Sequence, residues 1–141
     1  MNPTQTWTAL LHGRDLLEAT LENGTCRLRL IGCEALLQQV RALRERHGDD
    51  PQSWALPAGS GHTDMLIREL ILKRRGEWDF PYKDAEICHC RLVATVIVDQ
   101  AIVTGAHTPE VVSRWTSAST SCGTCRPDVE KIIAYRLGKT S

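Results

Sequence analysis

Apolar and polar positions alternate through LLEATLENGTCRLRLIG, with Leu17, Ala19 and Leu21 before Asn23-Gly24 and Cys26, Leu28 and Leu30 after it. A period of two turns one side of an extended chain inward, and Asn-Gly suits the two positive-φ positions of a type I′ turn, so this pattern predicts a β-hairpin. From Cys33 to His47 the period changes. Leu36, Leu37, Val40 and Leu43 fall at helical spacing, and Gly48 follows as a stop. Residues 49–62, DDPQSWALPAGSGH, are rich in Pro, Gly and Ser and read as a loop. Thr63 then offers a cap for a second helix with Met65, Leu66, Leu70 and Ile71 turned inward. Lys73, Arg74 and Arg75 meet the negative end of its dipole, and Gly76 ends it.

EWDFPYKD reads as a connector broken by Pro81, and it places a domain boundary near residue 82. Beyond it, VATVIVDQAIV carries two conflicting signals. Its β-branched content favours a strand, whereas Val93, Val96, Ile97 and Ala101 fit one helical face. Thr108-Pro109 is an N-cap followed by proline, opening a short helix through Val111, Val112 and Trp115. Pro127 suits the start of a last helix, where Val129, Ile132, Ile133 and Leu137 form a stripe ending at Gly138. The expectation is an α+β chain. Residues 1–82 form a mini-domain of a β-hairpin and two helices, and residues 83–141 form a small helical domain.

Composition narrows the chemistry. At 141 residues and 42% hydrophobic content the chain fits one ordinary domain or two very small ones. Lys plus Arg equals Asp plus Glu at 17 each, so no global field draws the chain to nucleic acid or an anionic membrane. Trp7, Trp54, Trp78 and Trp115 are scattered and make no base-stacking platform. The first residues lack a basic start and an apolar core, and the longest apolar run, near Leu92 to Val98, is too short for a bilayer. These features point to a soluble cytoplasmic protein. No Ser-His-Asp grouping, glycine-rich phosphate loop or paired carboxylate site is recognisable, so the chain does not read as an enzyme. The basic tracts RALRERH and LKRR read as polar surface that complements helix dipoles.

Six cysteines in a reducing compartment are better explained as free or metal-bound thiols than as structural disulfides. Cys88 and Cys90 flank one histidine in EICHCRL, and Cys122 and Cys125 flank Gly-Thr in SCGTCRP. Four thiolates suit a [2Fe-2S] cluster, two per iron, and they also suit a structural Zn2+. A redox dithiol at CGTC would leave Cys88 and Cys90 without a role and lacks a βαβ setting.

The Cys-x-Cys and Cys-x2-Cys pairs, the helix beginning near Thr95, TPEVVSRWT and CGTC together resemble the bacterioferritin-associated-ferredoxin-like (BFD-like) family of [2Fe-2S] domains over about residues 86–138. Ala118-Ser119 stands where family members usually carry Ala-Gly. The resemblance implies a small all-helical domain holding one [2Fe-2S] cluster on Cys88, Cys90, Cys122 and Cys125. It further implies one-electron transfer or iron and cluster handling with a redox or iron-handling protein partner. Two other readings stay open: a zinc-stapled interaction module, and a metal or cluster delivery protein in which residues 1–82 bind a second ion through Cys33, His62 or both. The hairpin, IGC and the following helix also resemble the start of an iron–sulfur scaffold family, but with one cysteine at that joint the scaffold activity is not carried over.

Three smaller expectations complete the reading. Cys26 lies on the apolar side of the hairpin and reads as a small core residue. Cys33 sits where a helix begins; structural filler is the simpler role, and a reactive or metal-handling one the alternative. His62 reads as a loop or cap residue with ligand potential, and His89 as a solvated neighbour of the cysteine pair that could instead donate a hydrogen bond to it.

Overall fold

The computed structural model describes residues 4–88, 93–116 and 126–138, the side chain of Cys88 excepted. Among these residues the chain is α+β and divides into two compact units. Met1–Ala58 and Thr63–Trp78 make one; Gly59–His62 and Asp79–Ser141 make the other.

The first unit starts with an antiparallel meander of β1 (Gln5–Leu11), β2 (Asp15–Glu22) and β3 (Thr25–Ile31). The expected hairpin is β2–β3, paired from Glu22↔Thr25 to Leu16↔Ile31. Its turn uses the conformations that Asn-Gly tolerates, with φ 53° at Asn23 and 79° at Gly24. Strand β1 was not anticipated, although Trp7, Ala9 and Leu11 alternate in it and the last two are buried. On β2 the buried positions are Asp15, Leu17 and Ala19, so one strand face carries a carboxylate beside two apolar residues.

Helix α1 (Glu34–His47) buries Leu36 and Val40, while Leu37 is exposed at the edge of the expected stripe. Gly48, at φ 90°, donates its N–H to Arg44 O at 2.9 Å and ends the helix. The loop expected after it holds a core residue. A short 3-10 turn, Pro51–Ser53, delivers Trp54 to full burial, with Nε1 donating to Gly48 O at 2.8 Å.

Helix α2 (His62–Arg75) begins two residues earlier than expected, so Thr63 lies inside the first turn and is not the cap. Its burial exceeds a stripe: Ile67, Arg68 and Glu69 are buried along with Met65, Leu66, Leu70 and Ile71. The polar members are bonded, as such burial demands: Arg68 donates to Pro57 O from both Nε and Nη2, and Glu69 pairs with Lys73. The basic end of α2 is more than dipole-complementing surface. Arg74 forks onto Asp50, both bonds at 2.9 Å, and its guanidinium lies 4.8 Å from the centre of the Trp7 ring.

In the second unit β4 (Glu86–Cys88) pairs antiparallel with β5 (Val93–Ala94), and α3 (Thr95–Thr104), α4 (Pro109–Thr116) and α5 (Arg126–Arg136) follow. The unit is helical as expected, with this two-stranded pairing added. The conflict in VATVIVDQAIV resolves as a helix from Thr95. Its N–H reaches Ala85 O at 2.7 Å and its hydroxyl donates to Asp84 O at 2.6 Å, tying the helix start to the chain before β4. The expected face is corrected. Val98, Ile102 and Val103 are buried, whereas Val96 and Ile97 are 46% and 52% exposed, because the core joins α3 to Val112 of α4 and Ile132 of α5. Thr108 caps α4 as expected, its Oγ1 accepting from Val111 N at 3.2 Å. Helix α5 buries Val129, Ile132 and Ile133. It starts at Arg126, so Pro127 is its second residue.

Candidate metal centres

Of the four cysteines expected to act as ligands, Cys88 is the last residue of β4, its backbone paired with Val93 of β5. Its side chain, and Cys90, Cys122 and Cys125 entirely, lie outside the described residues, as does His89. The elements around them are described. Cys125 directly precedes α5, and the preceding helix, α4, ends at Thr116. Arg126 Nη2 donates to Glu110 Oε1 at 2.6 Å and Arg126 Nε to Glu130 Oε1 at 3.1 Å, linking the first turn of α4 to the first turn of α5. The Glu110 carboxyl is held below the usual glutamate range, first by its backbone hydrogen bond and then by Arg126; Glu110 in turn raises the Arg126 guanidinium.

Asp15 and Cys33 are hydrogen-bonded neighbours in the first unit. Asp15 opens β2 on its buried face and is 5% exposed. Cys33 is the N-cap of α1, in extended conformation, and its N–H donates to Asp15 Oδ1 at 3.1 Å. Its Sγ lies 4.0 Å from Asp15 Oδ2. His62 is the first residue of α2. Asp15 and Cys33 belong to the first unit and His62 to the second. Cys33 and His62 are both half-buried.

Cys33 and His62 were singled out in the sequence; Asp15 was not. The signal that finds it is the strand period, since Asp15 occupies the position two before Leu17 on the inward face. Gly32 makes room for it. A Cβ there would stand 2.5 Å from Asp15 Oδ1, so only glycine lets the backbone pass this close to the carboxylate.

Cys26 stands apart from both sets. It is half-buried on β3, and burial, followed by the charge of Asp50, raises its thiol pKa, which disfavours the thiolate needed for reaction or ligation.

Comparison with curated proteins and with solved structures gives no match. Residues 86–135, from the start of β4 into the last turn of α5 and spanning both cysteine pairs, match the family described as BFD-like [2Fe-2S] binding domain.

Proposed function

We propose that Cys88, Cys90, Cys122 and Cys125 hold one [2Fe-2S] cluster, and that the chain works without catalysis of its own, as a cytoplasmic one-electron carrier or iron and cluster handler for a protein partner. The family match over residues 86–135 carries this reading. The donor chemistry fits, since four thiols in two pairs are the complement of a di-iron cluster. The local framework fits as well. One pair falls at the end of β4, where the chain returns within a few residues to β5, and the other falls immediately before α5.

The bound cluster supplies a site that gains and loses a single electron. The chain's own residues would hold its surroundings fixed. Thr95 binds the start of α3 to Asp84 and Ala85, so the chain leading into β4 is anchored on the helical core. Arg126 ties the start of α5 to that of α4 through Glu110, so the two helices that flank Cys122 and Cys125 in the sequence are linked. The first turn of α5, just after Cys125, presents N–H groups and a positive dipole end that favour a negatively charged cluster. No helix among the described residues is long and apolar enough to cross a membrane, in keeping with a partner reached in solution.

Anaerobic purification followed by visible spectroscopy and EPR tests the proposal. The expected result is ferric–thiolate absorption that a reductant bleaches, with a spin-half signal in the reduced protein. Cys122→Ser should remove the absorption and Cys26→Ser should leave it intact. A colourless chain carrying zinc on these thiols overturns the reading.

A further inference from the structure

We propose that the free edge of β3 receives an extended segment of a partner protein as a fourth strand, and that this segment alternates apolar with acidic residues. The surface lies wholly within the first unit and does not rest on the cluster.

The hairpin determines which backbone groups are free. Strand order β1-β2-β3 leaves β3 with a neighbour on one side only. The two-residue turn makes Glu22 and Thr25 a hydrogen-bonded pair, and bonding alternates from there, so Thr25, Arg27, Arg29 and Ile31 turn their backbone groups to β2. Cys26, Leu28 and Leu30 turn theirs outward, and among the described residues no hydrogen bond reaches them. The other edge of the sheet differs. On β1 the Thr8 carbonyl already accepts from Lys73 Nζ at 2.7 Å, which blunts that strand as a template.

The two faces of the β3 edge call for different side chains. On the side toward α1, a groove of about 420 Å3 has Leu30 and Leu37 in its walls, Leu37 being 36% exposed. Its rim is close to neutral: Arg44 and Asp49 bond each other at 2.8 Å, and Arg41 is balanced by Glu45. Alternate residues of an added strand would lay apolar side chains into this groove. On the opposite face Arg27 and Arg29 are exposed, and neither guanidinium has a hydrogen-bond or ion-pair partner among the described residues. Glu18, opposite Arg29 on β2, instead accepts from Thr8 Oγ1 of β1 at 3.4 Å. The intervening residues of the added strand would meet the two arginines as cross-strand neighbours, where carboxylates are favoured and basic residues opposed. The described lining of the groove is aliphatic and charged, without a ring for bases to stack on, which favours a peptide over a nucleic acid. Without that segment β3 stays the last strand of the sheet.

The test uses the full-length chain as purified and fluorescein-labelled peptides that match the 7 residues of β3 in length. One alternates Val with Glu, one alternates Val with Lys, and one is the Val-Glu peptide N-methylated throughout, which cannot donate main-chain hydrogen bonds. In anisotropy titrations the Val-Glu peptide should bind at least about tenfold more tightly than the Val-Lys peptide, with added salt narrowing the gap. The N-methylated peptide should not bind over the same range. Arg27→Gln combined with Arg29→Gln should weaken Val-Glu binding about tenfold, the effect of losing two exposed charge pairs. The amides of Cys26, Leu28 and Leu30 should gain protection from hydrogen exchange when the Val-Glu peptide is added. Metal content and visible absorption should be the same with and without the substitutions, so the outcome is separate from that of the cluster proposal. Equal binding of the acidic and basic peptides, no binding of the acidic one, or binding of the N-methylated one overturns the inference. Protection of the same amides by a uridine oligonucleotide, or by raising the concentration of the chain alone, in place of the acidic peptide would give the edge to nucleic acid or to a second copy and overturns it equally. Both arginines are exposed, so the double variant keeps the fold, verified by circular dichroism, and the peptide comparison on the wild-type chain decides the matter even without it.

Discussion

Arg136 of α5 grips Asp99 of α3 with a two-pronged contact, Nε to Oδ1 at 2.7 Å and Nη2 to Oδ2 at 2.6 Å, across side chains only 3% and 13% exposed. Planar guanidinium and carboxylate match in this geometry, so the pair sets both the distance and the rotation of α5 against α3. Replacing Arg136 by Met leaves a carboxylate desolvated and unpaired, and should cost the second unit about 3 kcal/mol in urea unfolding. Replacing both residues, Asp99→Leu with Arg136→Met, should recover much of that loss. A single-variant cost below about 1 kcal/mol would show that the carboxylate finds water instead.

Trp54 should be the most sensitive position of the segment between α1 and α2. Its ring is fully buried and its Nε1 bonds Gly48 O at 2.8 Å. Trp54→Ala removes a large core side chain and should destabilise the first unit by about 3–5 kcal/mol. Trp54→Phe keeps an aromatic ring but leaves the Gly48 carbonyl without this donor, with an expected cost of about 1–3 kcal/mol. Thermal melts of the two variants should rank them in that order.

Gly32→Ala tests the close approach at Asp15. The new methyl would meet Oδ1 at 2.5 Å and Cγ at 3.0 Å, so the carboxylate has to swing aside and loosen its bond from the Cys33 amide. The expected outcomes are a stability loss of about 1–3 kcal/mol and faster hydrogen exchange at the Cys33 N–H. Unchanged exchange at that amide would mean that the strand shifts as a whole and keeps the bond.

Acid should weaken the link between α4 and α5 in a defined direction. The Glu110 pKa is lower in the folded chain than in the unfolded one, so its contribution is complete above the ordinary glutamate range and fades as pH falls through the lowered value. Carbon-13 titration of the Glu110 carboxyl should give a midpoint below that of an unpaired glutamate, and Arg126→Ala should move it upward. The backbone hydrogen bond is the larger cause, so part of the depression should survive that substitution. Both side chains are exposed, and added salt should shrink the Arg126-dependent part.

Local chemistry made much of the fold legible. Asn23-Gly24 announced its turn because few other pairs take two positive φ values, and Gly48, Gly76, Gly105 and Gly138 all end helices at positive φ. Thr108 declared its helix start through a cap that needs only neighbouring residues. What stayed hidden depends on distant parts of the chain. Propensity favoured a strand at residues 93–103, and helix forms from Thr95 on, with Thr95 bonded back to Asp84 and Ala85. Trp54 looked like loop because its burial rests on the surrounding core and its hydrogen bond on the end of α1. The same limit applies to the candidate sites. The cysteine pairs are visible as spacing alone, whereas Asp15 and Cys33 meet only once β2 and α1 have packed.

Strand β3 closes one side of the meander, and its outward residues are Thr25, Arg27, Arg29 and Ile31. Two guanidinium groups spaced two residues apart line the surface that a foreign chain would extend. Addition of another copy in register would stack like charges along the growing ribbon, so this border discourages fibril-like assembly and leaves β3 a boundary of the sheet.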